Sequence, residues 1–274
     1  MKMIFDIIIS LKHATSKFIV IFGFILLTIF IIYFFKSINS FKEILREIRR
    51  KTFILLVAIF IFGLILRIFI VPHYHMWYTD EHNNIEKAKT IITGEEYSQL
   101  QYRHPIGWPI ILTIPIITLG LQSNVAINFS SIIGALIIFN IFFVSYLLTK
   151  NQKISLYSSF MFSLIPTALI YSGNAMNNTS SLFFVSLSIA LMLLYYRQKK
   201  HDINVLALVS IGLATLHRVE NGYLFILYFV GIYLWNEKSI KLSKSIKPLL
   251  LVILLILPNL FTNMSLYLDD NLST

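Results

Sequence analysis

Apolar residues in this chain gather in long runs instead of alternating or recurring at helical spacing. "FIVIFGFILLTIFIIYFF" (18–35), "FILLVAIFIFGLILRIFIV" (53–71) and "VAINFSSIIGALIIFNIFFVSYLL" (125–148) are the clearest. Each is close to the roughly 20 residues a helix needs to cross about 30 Å of hydrocarbon. Only helices and closed barrels satisfy their own backbone in lipid, and these runs lack the in–out alternation of barrel strands. They predict membrane-spanning helices. Further runs at 154–171, 180–196 and 248–266 predict more of them. The stretch 203–235 is too long for one span and is interrupted by "HRVEN", so it predicts two short helices meeting around Arg218 and Glu220. The expected fold is an all-α integral membrane bundle of about eight to nine transmembrane helices.

One run breaks the pattern. "HPIGWPIILTIPIITLG" (104–120) is short and holds Pro105, Pro109 and Pro115. Proline inside a helix removes a hydrogen bond and clashes with the preceding turn. This run predicts an interfacial or re-entrant helix, with Trp108 at headgroup depth.

Charge orients the helices. Lys36, Lys42, Arg46, Arg49, Arg50 and Lys51 face only Glu43 and Glu47. Later gaps hold Lys150 and Lys153, then Arg197, Lys199 and Lys200, then Lys238, Lys241, Lys244 and Lys247. Short loops rich in Lys and Arg stay cytoplasmic. Residues 72–104 carry Lys87, Lys89 and Arg103 against Asp80, Glu81, Glu86, Glu95 and Glu96, and belong outside. The net charge of +10 is thus a topology signal, helped by anionic membrane lipids, and calls for no nucleic acid. The chain reads as an extra N-terminal transmembrane helix and basic cytoplasmic linker (1–52), then a transmembrane module (53–274) with an outer loop at 72–124. The first run is too long for a signal peptide and reads as a retained span. Composition agrees: 57% of the 274 residues are hydrophobic and 13% charged, against about 25% charged in soluble domains. The absence of cysteine removes thiolate and disulfide chemistry.

Against this background the polar stretch "WYTDEHNNIEKAK" (77–89) stands out for its adjacent carboxylates, Asp80 and Glu81. "DEHNNIEKAKTIITG" predicts a short surface helix with Ile85, Ala88 and Ile92 as an apolar stripe in lipid and Gly94 at its end. Asp80 is either the cap of that helix or a general base that takes the proton from an attacking hydroxyl. Glu81 would favour the positive end of the helix dipole. Arg103, His104 and Arg218 fall on the same outer side, where a departing phosphate needs positive charge. Arg67 either snorkels to the interface or joins them. His73, His75 and His82 with Asp80 and Glu81 include zinc-type ligands, but their spacing matches no zinc signature. No metal ligands are assigned, and a divalent metal stays an open alternative.

The order "TDEHNNIEKAKTI", "RHPIGWPIIL", "SGNAMNNTSSLFF", "LATLHRVENGYLFIL" resembles the GT-C glycosyltransferases, in their protein mannosyltransferase and aminoarabinose transferase branch. The resemblance covers about 53–262 and implies transfer of a sugar from a polyprenyl-phosphate carrier to a glycan, lipid or protein acceptor, with inversion at the anomeric centre. It implies a site on the extracytoplasmic face of the cell membrane. By the same resemblance Asp80 matches the catalytic Asp and Glu81 the second acidic position. Arg103 and His104 lie in the segment near the carrier phosphate, and Arg218 and Glu220 match the Arg and Glu of the later turn. The chain departs from the family in placing Asn177 or Asn178 where relatives often carry an acid. Asn178 is then a substrate-side hydrogen-bonding group that cannot ionise. Asn83 stands where an arginine often follows the acidic pair. The expected function is a membrane glycosyltransferase; the alternative is a non-catalytic membrane protein that binds or moves a lipid-linked substrate.

Overall fold

A computed structural model of the protein describes residues 2–71, 79–95, 105–234 and 246–257, and every regular element among them is helical. Helix α1 (Lys2–Lys36) is followed by the short α2 (Ile38–Glu47) and by α3 (Arg50–Ile65), which ends in a π-helical turn at Leu66–Ile70. Then come α4 (Thr79–Thr93), α5 (Gly107–Leu119) and α6 (Ser123–Thr149). Helix α7 (Gln152–Ser163) is capped by Asn151, whose side chain accepts from the N–H groups of Lys153 and Ile154. Helix α8 (Pro166–Ser172) starts on proline, whose missing N–H costs nothing there, and is bent 60° from α7. The remaining helices are α9 (Asn177–Gln198), α10 (His201–His217), α11 (Tyr223–Leu234) and α12 (Ile246–Leu257). A 3₁₀ turn at Val219–Gly222 joins α10 to α11.

Among the described residues, four helices are long and apolar enough to cross a membrane: Phe18–Lys36, Arg50–Ile70, Ser123–Thr149 and Asn177–Gln198; the bent α7–α8 pair would make a fifth. Their positions coincide with the predicted runs. Outward-facing side chains on α1 and α3 are large and apolar, among them Phe18, Phe35, Ile54, Leu55 and Phe69. Such a surface suits hydrocarbon and not water, so the protein is an integral membrane protein.

Inside the bundle, association cannot rest on apolar burial alone, because lipid is as apolar as leucine. Small and polar residues carry the close contacts instead. Helices α6 and α9 meet at Gly134, where a Cβ would come 3.3 Å from Thr179, and Ser131 of α6 donates to the Ser172 carbonyl of α8 at 3.0 Å. Asn140 donates to the Phe183 carbonyl (3.1 Å) and to Ser186 Oγ (3.0 Å). Ser159 of α7 donates to the Ile138 carbonyl at 3.2 Å. Helix α10 is the central element, with every residue from Ile203 to His217 buried. It packs against α9, α1 and α5, and α12 meets it at Gly212, where a Cβ would come within 2.6 Å of Val252.

Part of the basic segment 36–51 forms α2 and docks onto the bundle. Glu47 is its anchor: Arg197 donates to Oε1 at 2.6 Å and Tyr146 to Oε2 at 3.0 Å. Gln152 donates to the Glu47 carbonyl (2.9 Å) and accepts from Thr52 (2.7 Å). Burial raises the Glu47 pKa, but hydrogen bonds from Arg197 and Tyr146 and the charges of Arg197 and Lys150 outweigh it and hold the carboxyl below its ordinary range.

Two expectations are corrected. Trp108 is not at a headgroup belt: it is fully buried, stacked on Phe129 with centroids 5.9 Å apart, and most of α5 from Gly107 to Thr113 is inside the protein. The stripe of α4 does not lie in lipid either. Ile85 and Ala88 are buried against the rest of the protein, and only Ile92 is exposed. The physical reason is shared, since α4 and α5 pack on each other and each supplies the other's apolar cover.

Candidate functional site

Polar groups gather at one end of the bundle, where α4, the start of α5, the 173–176 turn, the start of α9 and the α10–α11 junction meet. Helix α4 turns Glu81, Asn84 and Lys87 inward, the spacing of three placing them on one face; all three are buried, while Asp80 is exposed. The helix begins at Thr79, so Asp80 occupies the first turn and not the cap. An acid in the first turn suits the positive end of the helix dipole. Gly94 ends the helix at φ +74°, a left-handed backbone that glycine adopts without strain. Burial pushes the Lys87 ammonium down to about 7.

One carbonyl ties three elements together. Ala175 O accepts from Asn84 Nδ2 (3.1 Å) and from Trp108 Nε1 (3.0 Å), joining α4 and α5 to the turn before α9. Helix α5 in turn presses on the end of α10. A Cβ on Gly107 would sit 2.6 Å from His217 Nδ1 and 2.8 Å from the His217 backbone nitrogen. His217 is buried beside Phe184 (4.9 Å between centroids), with Nδ1 against the Leu213 carbonyl at 2.7 Å and Nε2 without a hydrogen-bond partner among the described residues. The next residues form the turn that carries Arg218 and Glu220, both exposed. Asn221 fixes that turn by donating to Ser181 Oγ and to the Ala214 carbonyl, both at 2.8 Å.

The Asp-Glu pair and the Arg218–Glu220 turn, about 140 residues apart in sequence, are thus brought to one end of the molecule through Asn84, Ala175, Trp108, Gly107 and His217. Asn178 is half-buried on the wall of a cavity of about 280 Å³ between α6, α8 and α9. Arg103, His104, His73 and His75 lie outside the described residues. Among the described residues no three His, Cys, Asp or Glu side chains cluster closely enough to hold a metal. Sequence reasoning missed Asn84, Lys87 and His217 as inward-facing groups. A polar residue every third position of α4 was the available signal.

Lipid-facing apolar helices define a polytopic helical membrane protein, and the polar cluster at this end is its candidate site. The family model for dolichyl-phosphate-mannose-protein mannosyltransferases matches residues 103–261, more than half of the chain, and the protein belongs to that family. It is a membrane glycosyltransferase by that membership. The matched region contains Arg103, His104, Asn178, Arg218 and Glu220 and begins after Asp80 and Glu81. No curated protein and no solved structure matches the chain.

Proposed function

We propose that the protein transfers a sugar from a polyprenyl-phosphate carrier to an acceptor hydroxyl at the extracytoplasmic face of the cell membrane. Asp80 is the general base. The acceptor oxygen attacks the anomeric carbon as the bond from that carbon to the phosphate oxygen breaks. The hydroxyl proton goes to the Asp80 carboxylate, the bonding pair leaves with the lipid phosphate, and the anomeric centre inverts. Arg218, with Arg103 and His104, balances the charge of the departing phosphate, where fixed donors act strongly because water is excluded. Glu220 orients Arg218, Glu81 supports Asp80 from the buried side of α4, and Asn178 hydrogen-bonds the substrate. The basic gaps keep α2 and the α6–α7 and α9–α10 connections in the cytoplasm, with the shorter apolar helices completing eight to nine crossings.

The observation that carries this reading is the joint made by Asn84, Trp108 and the Ala175 carbonyl, which holds the acidic helix against α5, whose Gly107 packs on the end of α10 that leads to Arg218. Asp80→Asn tests it. Asn matches Asp in size and at this exposed first-turn position gives up only a dipole interaction of about 0.3–1 kcal/mol, so the fold should survive, while loss of a general base costs about 10²–10⁴-fold in rate. The measurement is transfer of labelled sugar from a polyprenyl-phosphate donor by the purified full chain. Full transfer by Asp80→Asn would remove Asp80 from the chemistry.

A further inference from the structure

Arg67 lies in the π-helical turn that ends α3 and has no exposed surface. It therefore does not snorkel. Its Nη1 donates to the Gly63 carbonyl at 2.9 Å, and the ring of Phe162 stands 5.9 Å from the guanidinium carbon. The other two nitrogens, Nε and Nη2, have no hydrogen-bond partner among the described residues. These two form the side-on fork that matches a pair of oxygens on one anion. A buried charged donor left without an acceptor loses its hydration with nothing in return, which is costly. The C-terminal end of α7, at Phe162 and Ser163, offers a favourable dipole for a cation, but no acceptor for this fork.

The neighbours of Arg67 supply a second, independent sign. Gly134 and Phe162 are its neighbours and line the 280 Å³ cavity, with Arg67 itself behind the wall they form. The point that a Cβ on Gly134 would occupy is 3.1 Å from Arg67 Nε and 3.3 Å from Thr179 Cγ2. Thr179 lines the same cavity, and its hydroxyl is buried without a partner among the described residues. Asn178 follows on the same wall. The rest of the lining is mainly apolar, and Ile165 and Leu182 are also exposed on the outside of the bundle. Buried unsatisfied donors thus lie directly behind the Gly134–Thr179 end of the cavity, whose other walls are apolar and reach the membrane-facing surface. A ligand with an anionic head and a hydrocarbon body would meet both, its head entering between Gly134 and Thr179.

We infer that Arg67 and Thr179, with Asn178 beside them, seat the phosphate of a membrane lipid whose chain lies along the apolar wall. Two lipids carry that chemistry. If the lipid is the polyprenyl-phosphate carrier, the seat deepens the donor reading above; if it is a phospholipid, the seat is structural and separate from transfer.

The test is lipid binding by the purified, delipidated full chain, read as the shift in melting temperature and involving no sugar transfer. Polyprenyl phosphate, phosphatidylglycerol and uncharged polyprenol are titrated separately. The expected result is a saturable shift with a lipid phosphate and none with polyprenol. Arg67→Met and Thr179→Val should each weaken the titration at least tenfold. Arg67→Lys should weaken it too, because it keeps the charge but loses the fork. A shift from polyprenyl phosphate alone assigns the seat to the sugar carrier, whereas equal shifts from both phosphates assign it to lipid phosphate in general. No shift in the wild type, an equal shift from polyprenol, or an unchanged titration in Thr179→Val would overturn the inference. If Arg67→Met does not fold, Arg67→Lys and Thr179→Val still decide it.

Discussion

Gly107→Ala should loosen the site without touching a charged residue. The added methyl would meet His217 Nδ1 at 2.6 Å, the His217 nitrogen at 2.8 Å and the Leu216 carbonyl carbon at 2.8 Å. Two of these three atoms are backbone in the last turn of the buried α10, so no side chain can swing aside to make room. The methyl must instead push α5 off α10, and overpacking of this kind costs about 1–3 kcal/mol. For chains of about 150–250 residues, 1 kcal/mol lowers the melting temperature by about 2–4 °C. A fall of at least about 2 °C in detergent is therefore expected. The displacement also matters for function, since Gly107 neighbours Trp108 on one side of the contact and His217 neighbours Arg218 on the other. Sugar transfer should drop more than stability does, because a shift of about 1 Å can cost on the order of 100-fold. Gly222→Ala is the control: it lies in the same turn region, and its Cβ would meet nothing within 4 Å. That variant should stay within about 0.5 kcal/mol of wild type. Equal melting temperatures for Gly107→Ala and wild type would refute the close approach of α5 and α10.

Three further outcomes follow from other contacts. The Glu47 carboxyl is held below its ordinary pKa in the fold, so its stabilisation is present above the unfolded carboxylate range and is lost as pH falls through the folded value; melting curves from pH 7 down to pH 3 should drop more for wild type than for Glu47→Gln, and parallel curves would contradict this. Asn140→Leu removes both hydrogen bonds from α6 to α9 and should destabilise by about 1 kcal/mol, given roughly 0.6 kcal/mol per such bond in membranes, read by thermal unfolding in detergent. Because the chain lacks cysteine, single-Cys probes are clean: a reagent outside the cell should label Glu220→Cys and miss Arg49→Cys, and the reverse pattern would invert the proposed topology.

The long apolar runs were legible because a helix facing lipid needs an unbroken hydrophobic surface, and 18–35, 53–71 and 125–148 all became such helices. The break at "HRVEN" was legible too, as a polar interruption, and α10 ends there. What could not be read was which apolar face meets protein and which meets lipid. Ile85, Ala88 and Trp108 look the same in sequence whether their cover is a neighbouring helix or hydrocarbon. For the same reason Arg67 could be placed near the end of its helix but not assigned a direction. The seat built around it depends on Gly134 and Thr179, which reach it only through tertiary packing.

Helix α10 carries a consequence for how the protein is made. All of its residues from Ile203 to His217 are enclosed by other helices, and they include Asn204, Ser210, Thr215 and His217. A segment with those side chains gains little by partitioning into the bilayer alone. Its residence in the membrane is conditional on neighbours already present. Helices α1 and α9 emerge earlier in synthesis and can receive it, whereas α12 emerges later and closes the remaining side. The order of the chain is therefore also an assembly schedule, and damage to α9 should appear first as failed insertion of α10, seen as rapid turnover of newly made protein.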